Sequence, residues 1–186
     1  MDMDSNVELY KKKFNEARQE NGDWQDAYIN LMTSVYDVDV LFFALSRDDF
    51  NPETKMSEPL VSTKDFDGTP ALYVFTDVNL ASGWMSHYGH VTEDKKYGLI
   101  GAVHKEDHGF LSIFQIAHLM GVKVIMLDEG GSYVGISIKS FLTANDLDSG
   151  KIHIQISNEE AQRLRENNEQ PEVQFPKIPV IPLTRD

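Results

Sequence analysis

Five of the six histidines in this chain fall between positions 87 and 118: His87, His90, His104, His108 and His118. Acidic residues run among them, namely Glu93, Asp94, Glu106 and Asp107. Imidazole and carboxylate together are ligands for Zn²⁺ or Fe²⁺, so metal-assisted chemistry would be built in this stretch. His104 and His108 are four apart and would share a face if both lay on one helix. The segment departs from the zincin arrangement, because Glu106 is not in the second position, where that motif carries its general base. Gly109, directly after His108, suggests a loop or a helix start rather than a helix interior. His87 falls on the Trp84 side of its predicted helix and His118 near the core face of another, where a packed, hydrogen-bonded imidazole is the ordinary outcome. Catalytic zinc needs three convergent protein ligands and an open fourth position. His87, His90, His104 and His108 are therefore the ligand candidates of an alternative, enzymatic reading.

Nothing else in the sequence resembles a reaction centre. Gly130-Gly131 follows two acids and joins two predicted strands, whereas a phosphate cradle needs a strand-to-helix turn free of negative charge. Ser82 and Ser86 flank Trp84 without a nucleophile elbow around either. Lys11-Lys12-Lys13 reads as the solvated face of a helix. No catalytic residue and no cofactor is expected.

The elements that must hold these residues can be read from periodicity. Val7, Tyr10, Phe14 and Ala17 recur at helical spacing within 5–20, with the lysines opposite. Asn21-Gly22-Asp23 breaks this helix, and Asp23 is placed to cap a second one bearing Trp24, Tyr28, Leu31, Met32 and Val35. The two predict an N-terminal helical hairpin. Strands are predicted at 39–45, briefly at 60–61, at 71–75 and at 97–103. A helix over 109–120 turns Phe110, Ile113, Phe114 and Ala117 inward and ends at Gly121. The runs 122–127 and 133–138 form a hairpin around Asp128-Glu129-Gly130-Gly131-Ser132, followed by a short helix over 140–145. A further strand is predicted at 151–156, and Ser157 to Glu160 reads as a capping box. Helices interspersed with strands and one clear hairpin predict an α+β fold, a mixed sheet flanked by helices.

Residues 70–84 carry the sharpest local signal. Ala71 to Phe75 is an apolar, aromatic and β-branched run bounded by Asp67-Gly68-Thr69-Pro70, as in a strand buried on both faces. Thr76 and Asp77 are both good N-cap residues for the helix that follows. Leu80, Ala81, Trp84, Met85 and Tyr88 lie on one stripe of it. A strand ending Val-Phe-Thr-Asp, followed by a helix bearing a Trp, resembles the N-terminal domain of the SseB family (enhanced serine sensitivity). Residues 24–45 resemble that family's opening helix and first strand, Asp65-Phe66-Asp67-Gly68 the turn before its Phe-Thr strand, and 113–135 its closing segment. The chain departs from it in having Leu127-Asp128-Glu129 before Gly130-Gly131, where the family often has Asn-Pro. The resemblance covers roughly 24–145 and implies a scaffold without defined catalytic residues.

Composition bounds the partner. A chain of 186 residues forms a single domain, here 1–169, with a Pro-rich arm over 170–186. The net charge of −13 repels phosphate backbones, so nucleic acid is a poor partner, while a basic protein is compatible. No apolar run is long enough to span a bilayer, the first residues are acidic, and there is no cysteine. A cytoplasmic location is the resulting expectation. In the arm, Pro176, Pro179 and Pro182 are spaced by three, so the arm is either a docked polyproline-type peptide or an extended segment packed on its own domain. Its many apolar residues favour self-packing. The sequence thus predicts a non-catalytic protein-binding or regulatory module, acting through its acidic surface or the arm, with the histidine-based metal enzyme as the alternative.

Overall fold

The computed structural model describes residues 3–20, 22–63, 68–147 and 173–183. It is an α+β fold whose centre is a six-stranded mixed sheet. Two helices lead, α1 (Met3–Gln19) and α2 (Gln25–Tyr36), packed against each other as the predicted hairpin. Strands β1 (Val40–Ala44), β2 (Met56–Ser57), β3 (Val61–Ser62) and β4 (Ala71–Phe75) follow, then α3 (Val78–Tyr88). Next come β5 (Tyr97–Gly98), β6 (Ile100–His104), α4 (His108–Leu119), the hairpin of β7 (Val124–Leu127) and β8 (Val134–Ser137), and α5 (Ile138–Ala144). Two short strands end the described chain, β9 (Ile178–Pro179) and β10 (Ile181–Pro182).

The sheet runs β6-β1-β4-β7-β8, with β3 pairing the first half of β4. Only β4 and β7 are parallel, in register Ala71↔Val124 to Val74↔Leu127. Alternation along the strands sorts two cores. Leu72 and Val74 of β4 face the same side as Leu41, Phe43, Ile125 and Leu127, and helices α1, α2, α4 and α5 cover that side. Ala71, Tyr73 and Phe75 face the other side with Ala44 and Met126, beneath Ala81, Trp84 and Met85 of α3. All five residues of β4 are buried, which is why its sequence lacks polar alternation.

Several local expectations shift. The predicted strand over 97–103 is broken at Leu99, whose carbonyl accepts from Leu45 N–H at 2.8 Å. The short helix starts at Ile138, capped by the Ser137 hydroxyl, rather than at 140. Asp77 alone caps α3, accepting from Asn79 and Leu80, because Thr76 is engaged elsewhere. Tyr88 leaves the buried stripe of α3 and is 56 % exposed. Trp24 precedes α2 rather than sitting inside it, and packs edge-on to Phe14 and Tyr28. Lys11 is the largest departure: it is 1 % exposed, not on a solvated face. The turn at 65–67, the strand at 151–156 and the capping box at 157–160 lie outside the described residues.

The arm lies on its own domain. Ile178–Pro179 pairs with β2 and Ile181–Pro182 with β5, and Phe175, Ile178 and Val180 are buried. The arm comes so close to β6 that a side chain at Gly101 would strike Ile178 and the Pro179 carbonyl. Among the described residues, no helix is long and apolar enough to cross a membrane.

Candidate functional site

The histidines are spread over separate elements. His104 closes β6 and His108 opens α4, so the two do not share a helix. The Asp107 carboxylate accepts from the His104 backbone N–H at 3.0 Å and so ties off the turn between them. The His104 ring is exposed, and the His108 side chain lies outside the described residues. His87 is exposed on α3, edge-on to Tyr88. His118 is exposed as well, not near the core face, because α4 buries the side carrying Phe114 and Ala117. Among the described histidine side chains His90 alone is half-buried: its Nε2–H donates to the Leu45 carbonyl at 2.8 Å and its ring meets Trp84 edge-on. Burial depresses the His90 pKa below its ordinary value, the Leu45 carbonyl opposes this, and the Arg47 guanidinium adds to the depression. Among the described residues, no three His, Asp or Glu side chains are grouped to hold a metal ion.

A different set of residues converges where the parallel strands end. In open sheets the carboxyl ends of parallel strands are the usual place for a ligand. Thr76 follows β4 and Asp128 follows β7, side by side at that position. Asp128 adopts φ +56°, a left-handed conformation that Asp tolerates better than most residues, and this turns its carboxylate back across the strand ends. The Thr76 N–H donates to Asp128 Oδ1 at 2.7 Å, and the Thr76 hydroxyl to Oδ2 at 2.9 Å. Lys11 of α1 then reaches Oδ2 at 2.8 Å, with neither partner more than 1 % exposed, and also pairs with Glu8. The place a ligand would take is therefore filled by the chain's own ammonium group. With both carboxylate oxygens engaged, Asp128 offers no base, and the cluster acts as a lock between α1 and the sheet.

The next residue behaves otherwise. Glu129 is held at the rim by the Trp84 indole, whose Nε1–H donates to Oε2 at 2.6 Å, with the Tyr88 hydroxyl 3.5 Å from Oε1. The same loop is tied to α1 by the Ser132 hydroxyl, which donates to Glu8 at 3.3 Å. Tyr88, at this carboxylate, and Tyr133, four residues further along the same loop, are each more than half exposed. A fixed carboxylate among aromatic rings suits a cation, by ion pairing and by attraction to the ring faces.

Lys11, Thr76, Asp128 and Glu129 were not singled out as a site by sequence reasoning. A signal was there for Lys11, which stands four after Val7 and three before Phe14 and so lies on the buried stripe of α1. Its partner at Asp128 is 117 positions away and left no local trace. Compared with known proteins, the chain matches no family model, no curated protein and no solved structure.

Proposed function

We propose that this chain is a non-catalytic binding module of the SseB type that engages a basic protein partner through the acidic and aromatic rim around Glu129. The observation that carries this reading is the Glu129 carboxylate, fixed by the Trp84 indole and met by exposed Tyr88, with exposed Tyr133 on the same loop. Aromatic residues that combine contact area with few rotatable bonds are typical anchors of protein interfaces. The net charge of −13 supports a basic partner over an acidic one or a nucleic acid. The arm is not part of the docking surface in this reading, because its apolar residues are spent on its own domain. The same reading makes this a cytoplasmic protein, supported by a chain without cysteine.

The test compares the parent chain with Glu129→Gln and Tyr133→Ala in affinity purification, identifying retained proteins by mass spectrometry. A basic protein retained by the parent, released by salt and lost with both variants is the expected result. Retention of the same proteins by all three chains would remove the rim from consideration.

A further inference from the structure

A second opening lies at the same end of the sheet, on the side of β1 and β6. It is a cleft of about 410 Å³ between α1 and α2, within the size range of small-ligand sites. Its wall contains Thr33, Ser34, Asp37 and Asp39, with Lys105 beyond the end of β6. Asn6 and Tyr10 of α1 and Asn30 of α2 complete it.

The charge of this wall is one-sided, with two carboxylates to one lysine. The Thr33 hydroxyl donates to the Ile29 carbonyl at 3.2 Å and the Ser34 hydroxyl to the Leu31 carbonyl at 2.8 Å. A hydroxyl has a single proton, so both now present only lone pairs to the cleft. Lys105, the cation on the wall, is engaged: its Nζ is 2.8 Å from Asp37 and 4.7 Å from the Tyr36 ring centroid. The Asp39 carboxylate has no hydrogen-bond or ion-pair partner among the described residues, and its backbone carbonyl already accepts from the Lys105 N–H. Asn6, Asn30 and Tyr10 can donate as well as accept, but a carboxylate or phosphate ligand would face two carboxylates against one lysine that is already paired. What fits is a ligand that brings donors and positive charge.

We propose that this cleft binds a guanidinium group, with Asp39 as its carboxylate and the Asn6 and Asn30 carboxamides and the two hydroxyls as further acceptors. Guanidinium is planar, permanently charged and carries five N–H donors, which matches an acceptor-rich wall better than a compact ammonium does. The site is separate from the Glu129 rim, and neither reading depends on the other.

The full chain is titrated by calorimetry and by amide chemical shifts with agmatine, with the capped tripeptide Gly-Arg-Gly, and with tetramethylammonium, which has the charge but no N–H. The expected result is saturable binding of agmatine, the tripeptide or both, and none of tetramethylammonium. Asp39→Asn and Asn30→Leu, both at exposed positions, weaken binding by about tenfold or more, as loss of a charged hydrogen bond does. Glu129→Gln leaves it unchanged. Agmatine without the tripeptide points to a free small molecule, and the tripeptide without agmatine points to an arginine side chain of a protein. No saturable binding, equal binding of tetramethylammonium, or full affinity in Asp39→Asn would overturn the proposal.

Discussion

Two lysine–aspartate pairs in this molecule have the same N–O distance, 2.8 Å, and are physically opposite. Lys11 and Asp128 are 1 % and 0 % exposed, whereas Lys105 and Asp37 are 34 % and 55 % exposed. In the first pair both side chains are sealed from water, so Asp128 depends on Lys11 and Thr76, and Lys11 on Asp128 and Glu8. In the second, water solvates both groups, and the pair gains little beyond what water offers. Distance alone does not rank these contacts; burial does. The same contrast separates the neighbouring acids Asp128 and Glu129, of which the first is sealed and the second stays at the rim.

Removing one member of the sealed pair sharpens this contrast most. Lys11→Met is expected to cost about 3–5 kcal/mol in urea unfolding, because Asp128 is left charged and buried without a counter-ion. The double variant Lys11→Met/Asp128→Asn is expected to recover part of that loss, since no uncompensated charge remains. A loss below about 1 kcal/mol in the single variant would place the sealed pair with the exposed one and break the comparison. Trp84→Phe, which deletes the donor to Glu129 while keeping a ring, is expected to lie between the extremes. It should cost about 1.5 kcal/mol, as loss of a hydrogen bond to a partly buried charged acceptor does.

His90 is a case of burial without an opposite charge. Its folded pKa is depressed below the ordinary 6.5, chiefly by burial, so the unfolded chain takes up a proton first as pH falls. Its contribution to stability is therefore complete above about pH 6.5 and is lost as pH drops from there through the folded value. Unfolding followed across that range should show this slope in the parent and a flatter line in His90→Gln. A slope of opposite sign would mean that a carboxylate, not burial, governs this imidazole. The smallest effect is expected for Lys105→Met, at most about 1 kcal/mol in the same urea experiment, and it should shrink further with added salt.

How far the sequence reaches follows from the range of the forces. Apolar periodicity announced β4, the inward face of α4 and the β7–β8 hairpin, because burial of neighbouring residues is written in their spacing. The break at Leu99 did not show, because it is made by a pairing with Leu45 across the fold. Lys11 was legible by position and misleading by type. A lysine on a buried stripe reads as solvent-facing until its distant carboxylate is known. The histidine cluster shows the converse: residues close in sequence fell on separate elements, His104 at the end of β6 and His108 at the start of α4.

The arm has a consequence for synthesis on the ribosome. Strands β2 and β5 emerge early, yet each gains its mate only when residues 178–182 have been made. Until then, the strip of β6 around Gly101 that Ile178 later covers has no lid. A nascent chain with every helix of α1–α5 already out therefore still presents a bare apolar strip to chaperones and to neighbouring chains. Truncation before residue 178 leaves β2 and β5 without these partners and that strip uncovered.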